Sequence, residues 1–136
     1  MQTFLPYVNF QESAKVLDYR RLGKQRVEVL QLIKALNGET KAWAKHPAAK
    51  MWKGFENSLV LYGMYSCVEW RSRGYQDTCL QKILAFHDPT QHANNPPWLG
   101  NEEFHRAHRS NLSRKLLNHY SQYWNEPVDL EYIWPV

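Results

Sequence analysis

Residues 47–74 read PAAKMWKGFENSLVLYGMYSCVEWRSRG. Pro47 suits the first turn of a helix and Gly74 its end. Between them Met51, Phe55, Leu59, Val60, Tyr62, Met64, Cys67 and Trp70 recur on a broad apolar face. The pattern predicts a central helix over 47–73, buried on much of its circumference. Gly54 and Gly63 inside it each cost about 1 kcal/mol relative to Ala, and close crossing of neighbouring helices is the expected reason for them.

Toward the N-terminus, Asn9-x-x-Glu12 has the form of a capping box, and Phe10, Ala14, Val16 and Leu17 follow at helical spacing. Val27, Leu30 and Ile33 continue that spacing beyond Gly23, and Asn37-Gly38 is a stop. These signals predict two helices joined at Leu22-Gly23, or one kinked helix over 10–36. Toward the C-terminus, Asp77-Thr78 can cap a short helix to Ala85, and residues 87–101 form a loop with two prolines ahead of Trp98. A last main helix starts at Asn101 and runs to about 118, followed by an aromatic tail. No strand alternation and no internal repeat stands out. The fold class is therefore all-α: a single domain over 1–136, with main helices near 10–36, 47–73 and 102–118. Its expected core is Leu17, Leu30, Ile33, Leu59, Met64, Trp70 and Leu112.

The length of 136 residues suits one core, and 43% apolar residues argue against wholesale disorder. The opening MQTFLPYVNF lacks the basic start and apolar run of a secretory signal, and no run is long enough to cross a bilayer. Cys67 and Cys79 have no ligand-like spacing and read as reduced thiols. The expected location is the cytoplasm, with no membrane partner. No heptad seam suggests an obligate protein partner. No cofactor is expected. Six histidines invite a metal, with His105/His108 and His87/His92 as pairs, but neither HExxH nor a Cys/His cluster accompanies them and no metal is expected.

The net charge of +4 is modest, and its distribution is more informative than its size. Ten of the 17 Lys and Arg residues fall within 1–54, against four of the 13 acids. Within YRRLGKQRVE, from Tyr19 to Glu28, the residues Arg20, Arg21, Lys24 and Arg26 lie within two turns, and Arg20, Lys24 and Glu28 share one helical face. In HRAHRSNLSRK, from His105 to Lys115, the groups that can donate to phosphate are His105, His108, Arg109, Asn111, Arg114 and Lys115, with Ser110 and Ser113. Both segments also suit ordinary solvated helix faces. If they converge, they form one cleft for a polyanion, DNA or a nucleotide. Trp98, Tyr120, Tyr123, Trp124, Tyr132 and Trp134 are candidates for stacking on bases.

YRRL on an N-terminal helix, SRGYQDT closing the middle one and a basic helix leading into HYSQYW occur here in an order that resembles the phage endonuclease V family, the pyrimidine-dimer DNA glycosylases. Within it the chain is most similar to a divergent branch of short relatives carrying RRLGKQRVE and HRSNLxRK. The resemblance implies a small all-helical glycosylase and lyase whose terminal amine attacks the anomeric carbon and forms a Schiff base. A glutamate then assists the proton transfers before β-elimination. In the family the terminal residue is a small one exposed by removal of the initiator. Here Gln2 is bulky, so Met1 is expected to stay and its own amine to serve. Where the family reads Tyr-Arg-Glu-Leu, this chain has Tyr19-Arg20-Arg21-Leu22, which passes the carboxylate's role to Glu28, with Asp18 second. Arg20 matches an active-site arginine, Arg26 a shifted Arg-Val pair, and Lys115 a basic position on the last helix. Two other functions fit the same residues: a non-catalytic DNA- or nucleotide-binding protein on this scaffold, and an enzyme of N-glycosidic or phosphoester chemistry on another nucleic-acid or nucleotide substrate.

Overall fold

A computed structural model describes residues 1–91 and 94–136, so the His87/His92 pairing and part of the 87–101 loop lie outside the described residues. Among the described residues the regular structure is entirely helical: α1 (Phe10–Val16), α2 (Tyr19–Leu36), α3 (Pro47–Lys50), α4 (Glu56–Ser72), α5 (Leu80–Leu84), α6 (Glu102–Lys115) and α7 (Leu117–Tyr120). None of these helices is long and apolar enough to cross a membrane. Asn9 caps α1 by accepting from the Glu12 N–H at 2.9 Å, as its capping box requires. Asn101 caps α6 in the same way through the Phe104 N–H.

The first two helices part at Leu17 and Asp18, which are extended, and Gly23 lies inside α2. The break is made by tertiary contacts. Leu17 is fully buried, and the Asp18 N–H donates to the Tyr120 hydroxyl at 3.1 Å, which itself donates to the Asp18 carboxylate. The stretch expected as one helix over 47–73 is also divided. Gly54 adopts φ +88, a left-handed turn between α3 and α4 that an L side chain resists, and Glu56 accepts from its N–H at 3.1 Å. Its role is the turn, not helix crossing.

Gly63 does serve close packing. A Cβ there would meet Val29 Cγ1 at 2.6 Å, so α2 and α4 approach more closely than any side chain at 63 allows. Of the expected core, Leu17, Ile33, Leu59, Trp70 and Leu112 are buried, whereas Leu30 and Met64 are half-buried. The chain beyond α7 is non-helical and is strapped across α6. Asn111 Nδ2 donates to the Leu130 carbonyl at 3.0 Å, the Leu130 N–H donates to Ser110 Oγ at 3.1 Å, and Arg114 donates to the Val128 carbonyl at 2.8 Å. That strap brings Tyr132 over His108, with ring centroids 5.7 Å apart.

Candidate functional site

Residues Gln2–Pro6 form no helix or ladder, yet all are buried, so their backbone groups need partners from elsewhere. Side chains of three helices supply them. From α2, Gln25 accepts from the Phe4 N–H and donates to the Gln2 carbonyl, both at 2.8 Å. The α4 residue Tyr62 donates to the Phe4 carbonyl at 2.6 Å. On α6, His108 Nδ1 accepts from the Leu5 N–H at 2.9 Å, and Arg109 donates to the Pro6 carbonyl at 2.9 Å. His105 Nε2 accepts from the Gly100 N–H at 3.0 Å, which leaves the ring proton on Nδ1 to donate to the Leu5 carbonyl at 2.8 Å. Trp52 adds an indole donor to Thr3 Oγ1 at 3.0 Å.

This clamp ends at a cleft of about 250 Å³ lined by Met1, Gln2, Phe4, Arg21, Lys24, Glu28, Lys115 and Tyr132. Met1, Glu28, Arg21, Lys24 and Lys115, all singled out from sequence, therefore border one cavity. The Glu28 carboxylate accepts from the Gln2 N–H and from Gln25 Nε2, both at 3.4 Å. Among the described residues it forms no ion pair, with Arg20, Arg21 or Lys24 or with any other cation. Arg21 pairs with Asp18 at 3.2 Å. Burial alone would raise the Asp18 carboxyl, but the Tyr120 hydroxyl and the Arg21 guanidinium bring it below its ordinary value. Burial pushes the Tyr132 phenol up to about 12, so it keeps its proton at neutral pH.

An open groove of about 630 Å³ adjoins the cleft and shares Arg21, Lys24 and Glu28 with it; Arg20 lies on its wall. Its aromatic side is Trp70, stacked on Tyr75 with centroids 4.4 Å apart and on Tyr19 at 5.4 Å. Tyr19 and Tyr75 are exposed. Arg26 lies over the Trp70 ring at 4.4 Å and pairs at 2.5 Å with Asp77, whose side chain is enclosed, which occupies its charge with holding α2 to the start of α5.

The basic segment on α6 contributes only Lys115 to the cleft. His105, His108 and Asn111 are buried and, in this structure, hold the N-terminal segment and the tail instead of facing solvent. Burial lowers both histidines, His108 to about 3, so neither carries a positive charge for a phosphate at neutral pH. Arg109 is shared among Glu102, Glu126 and the Pro6 carbonyl, and Arg114 among the Val128 carbonyl and Asn111. Of the aromatic candidates, Trp98 and Tyr120 are buried and Tyr123 is exposed, while Tyr132 lines the cleft. Gln25, Gln2 and the Tyr19–Trp70–Tyr75 stack were not legible from sequence. A buried glutamine inside a cationic helix looks like one more polar surface residue, and nothing local marks it as a clamp.

One cavity thus gathers Met1, a carboxylate in no ion pair among the described residues and three cations, beside a groove with an aromatic side. A family model described as pyrimidine dimer DNA glycosylase matches residues 1–83, and the chain belongs to that family. The match takes in Met1, Arg21, Lys24 and Glu28 but ends before Lys115 and Tyr132. No curated protein and no solved structure matches the chain.

Proposed function

We propose that this protein is a DNA glycosylase with AP-lyase activity on pyrimidine dimers, working through an imine on the Met1 amine. The Met1 amine is the nucleophile. Its nitrogen forms a bond to C1′ as the glycosidic C–N bond breaks and the base departs with the electron pair, taking up a proton. Loss of the second amine proton and opening of the sugar give the Schiff base. Removal of a C2′ proton then expels the 3′ phosphate by β-elimination, and water returns the free amine. Glu28 is the group within the cleft that can receive and return these protons, directly or through one water.

Arg21, Lys24 and Lys115 hold the phosphates flanking a nucleotide drawn out of the stack, and Arg20 extends that cationic edge along the groove. The observation that carries this reading is the single cavity bordered by Met1, Glu28 and these three cations. Borohydride reduction in the presence of abasic-site duplex tests it, because only an imine is converted to a stable covalent complex. Tight binding with no trapped complex and no cleavage would instead favour a non-catalytic DNA-binding protein on the same scaffold.

A further inference from the structure

Gln2 lines the cleft beside Met1 and is only 6% exposed. Its side chain and backbone are fixed at three points. Gln2 Oε1 accepts from the Thr3 N–H at 2.9 Å, the Gln2 carbonyl accepts from Gln25 at 2.8 Å, and the Gln2 N–H donates to Glu28 at 3.4 Å. Because a backbone N–H needs an acceptor and the only acceptor of a carboxamide is its oxygen, the first of these contacts fixes the orientation of the group and assigns the remaining corner to the NH2. That Nε2 is buried and finds no acceptor among the described residues. A buried donor without an acceptor is costly enough to need a reason.

We propose that Gln2 is a specificity-determining residue whose Nε2 donates to a carbonyl oxygen of the target nucleobase. The cleft already meets phosphate with the charges of Arg21, Lys24 and Lys115, so a neutral, enclosed donor next to Met1 is matched to a neutral acceptor. Pyrimidine bases present carbonyl oxygens of that kind. A site built around a polar group rejects a ligand that leaves the group unpaired, so Gln2 favours a nucleotide that still carries its base over an abasic one. The inference rests on the glycosylase reading for the nature of the ligand, but its test does not need turnover.

The test is equilibrium binding to three duplexes: undamaged, with a tetrahydrofuran abasic analogue, and with a thymine dimer on a non-cleavable carbocyclic sugar. Gln2→Glu keeps the acceptor for Thr3 and turns the orphaned donor into an acceptor; Gln2→Leu removes both and retains a bulky residue after Met1. Both should weaken binding to the dimer duplex by about 10-fold or more, and binding to the abasic analogue by less than about 3-fold. Thermal melts identify a variant that fails to fold, and Gln2→Glu carries the test if Gln2→Leu does. Equal losses on the two lesion duplexes, or none on the dimer, would overturn the proposal. Failure of the imine reading registers separately, as absence of borohydride trapping with the unaltered protein. A protein that binds the dimer duplex no better than undamaged DNA also overturns the proposal, whatever the trapping shows.

Discussion

The Glu28 carboxylate accepts a hydrogen bond from the backbone N–H of Gln2 at 3.4 Å, across 26 positions of sequence. The acid on α2 is thereby tied to the residue next to Met1, so the position of the terminus and that of the carboxylate are set together. Replacing Glu28 with Gln preserves the acceptor and removes the ability to exchange protons. We expect Glu28→Gln to lower cleavage of dimer or abasic duplex by roughly 10²- to 10⁴-fold, with DNA affinity retained. Single-turnover cleavage and equilibrium binding measured on the same duplex check the split.

The cations differ in how free they are, which fixes where charge removal matters. Lys24 and Lys115 border the cleft and form no ion pair among the described residues. Lys24→Ala and Lys115→Ala should each flatten the dependence of log affinity on log salt by about 1. Arg109 is held by Glu102, Glu126 and the Pro6 carbonyl, so Arg109→Ala should lower thermal stability and leave the salt slope unchanged. Salt titrations of binding beside thermal melts decide between the two roles.

Acid should loosen the N-terminal clamp. His108 accepts from Leu5 as a neutral imidazole, and burial lowers its pKa from 6.5 to about 3. The unfolded chain therefore binds more protons than the folded one between those values. Stability contributed by keeping His108 neutral is complete above about 6.5 and is lost as pH falls toward 3. His105, also lowered by burial, acts in the same direction. Thermal melts from pH 7 to pH 4 should show a falling midpoint, and His108→Gln, less stable at pH 7, should show a shallower decline. A midpoint independent of pH across that window would contradict the neutral clamp.

The close approach of α2 and α4 gives a prediction about the scaffold alone. Because a Cβ at Gly63 would lie 2.6 Å from Val29 Cγ1, Gly63→Ala should destabilise the fold by about 1–3 kcal/mol despite the better helix propensity of alanine. Shortening the neighbour in Val29→Ala/Gly63→Ala should recover part of that loss, read as the denaturant midpoint.

Much of the architecture was legible because helix spacing and caps are local. Asn9, Asn101, Gly38 and Gly74 mark ends that the chain uses. The breaks at Leu17–Asp18 and Gly54 escaped because Tyr120 makes the first from 102 residues away, and Gly54 in an apolar run looks like a packing glycine until its φ is known. The cleft was legible where the chain brings functional types together on one helical face, as with Lys24 and Glu28. The α6 segment misled because a histidine or asparagine that satisfies a buried non-helical segment has the same spacing as one that faces phosphate. Only the third dimension separates His108, enclosed against Leu5, from Lys115 on the cleft wall.

The central claim is that the Met1 amine, beside Glu28, forms the covalent bond to DNA. The most direct measurement is borohydride trapping on abasic-site duplex followed by mass spectrometry of the digested complex. The account predicts a cross-link confined to the peptide that begins at Met1, and its loss when the terminus is acetylated. Absence of any trapped complex, or a cross-link on Lys24 or Lys115, would contradict it.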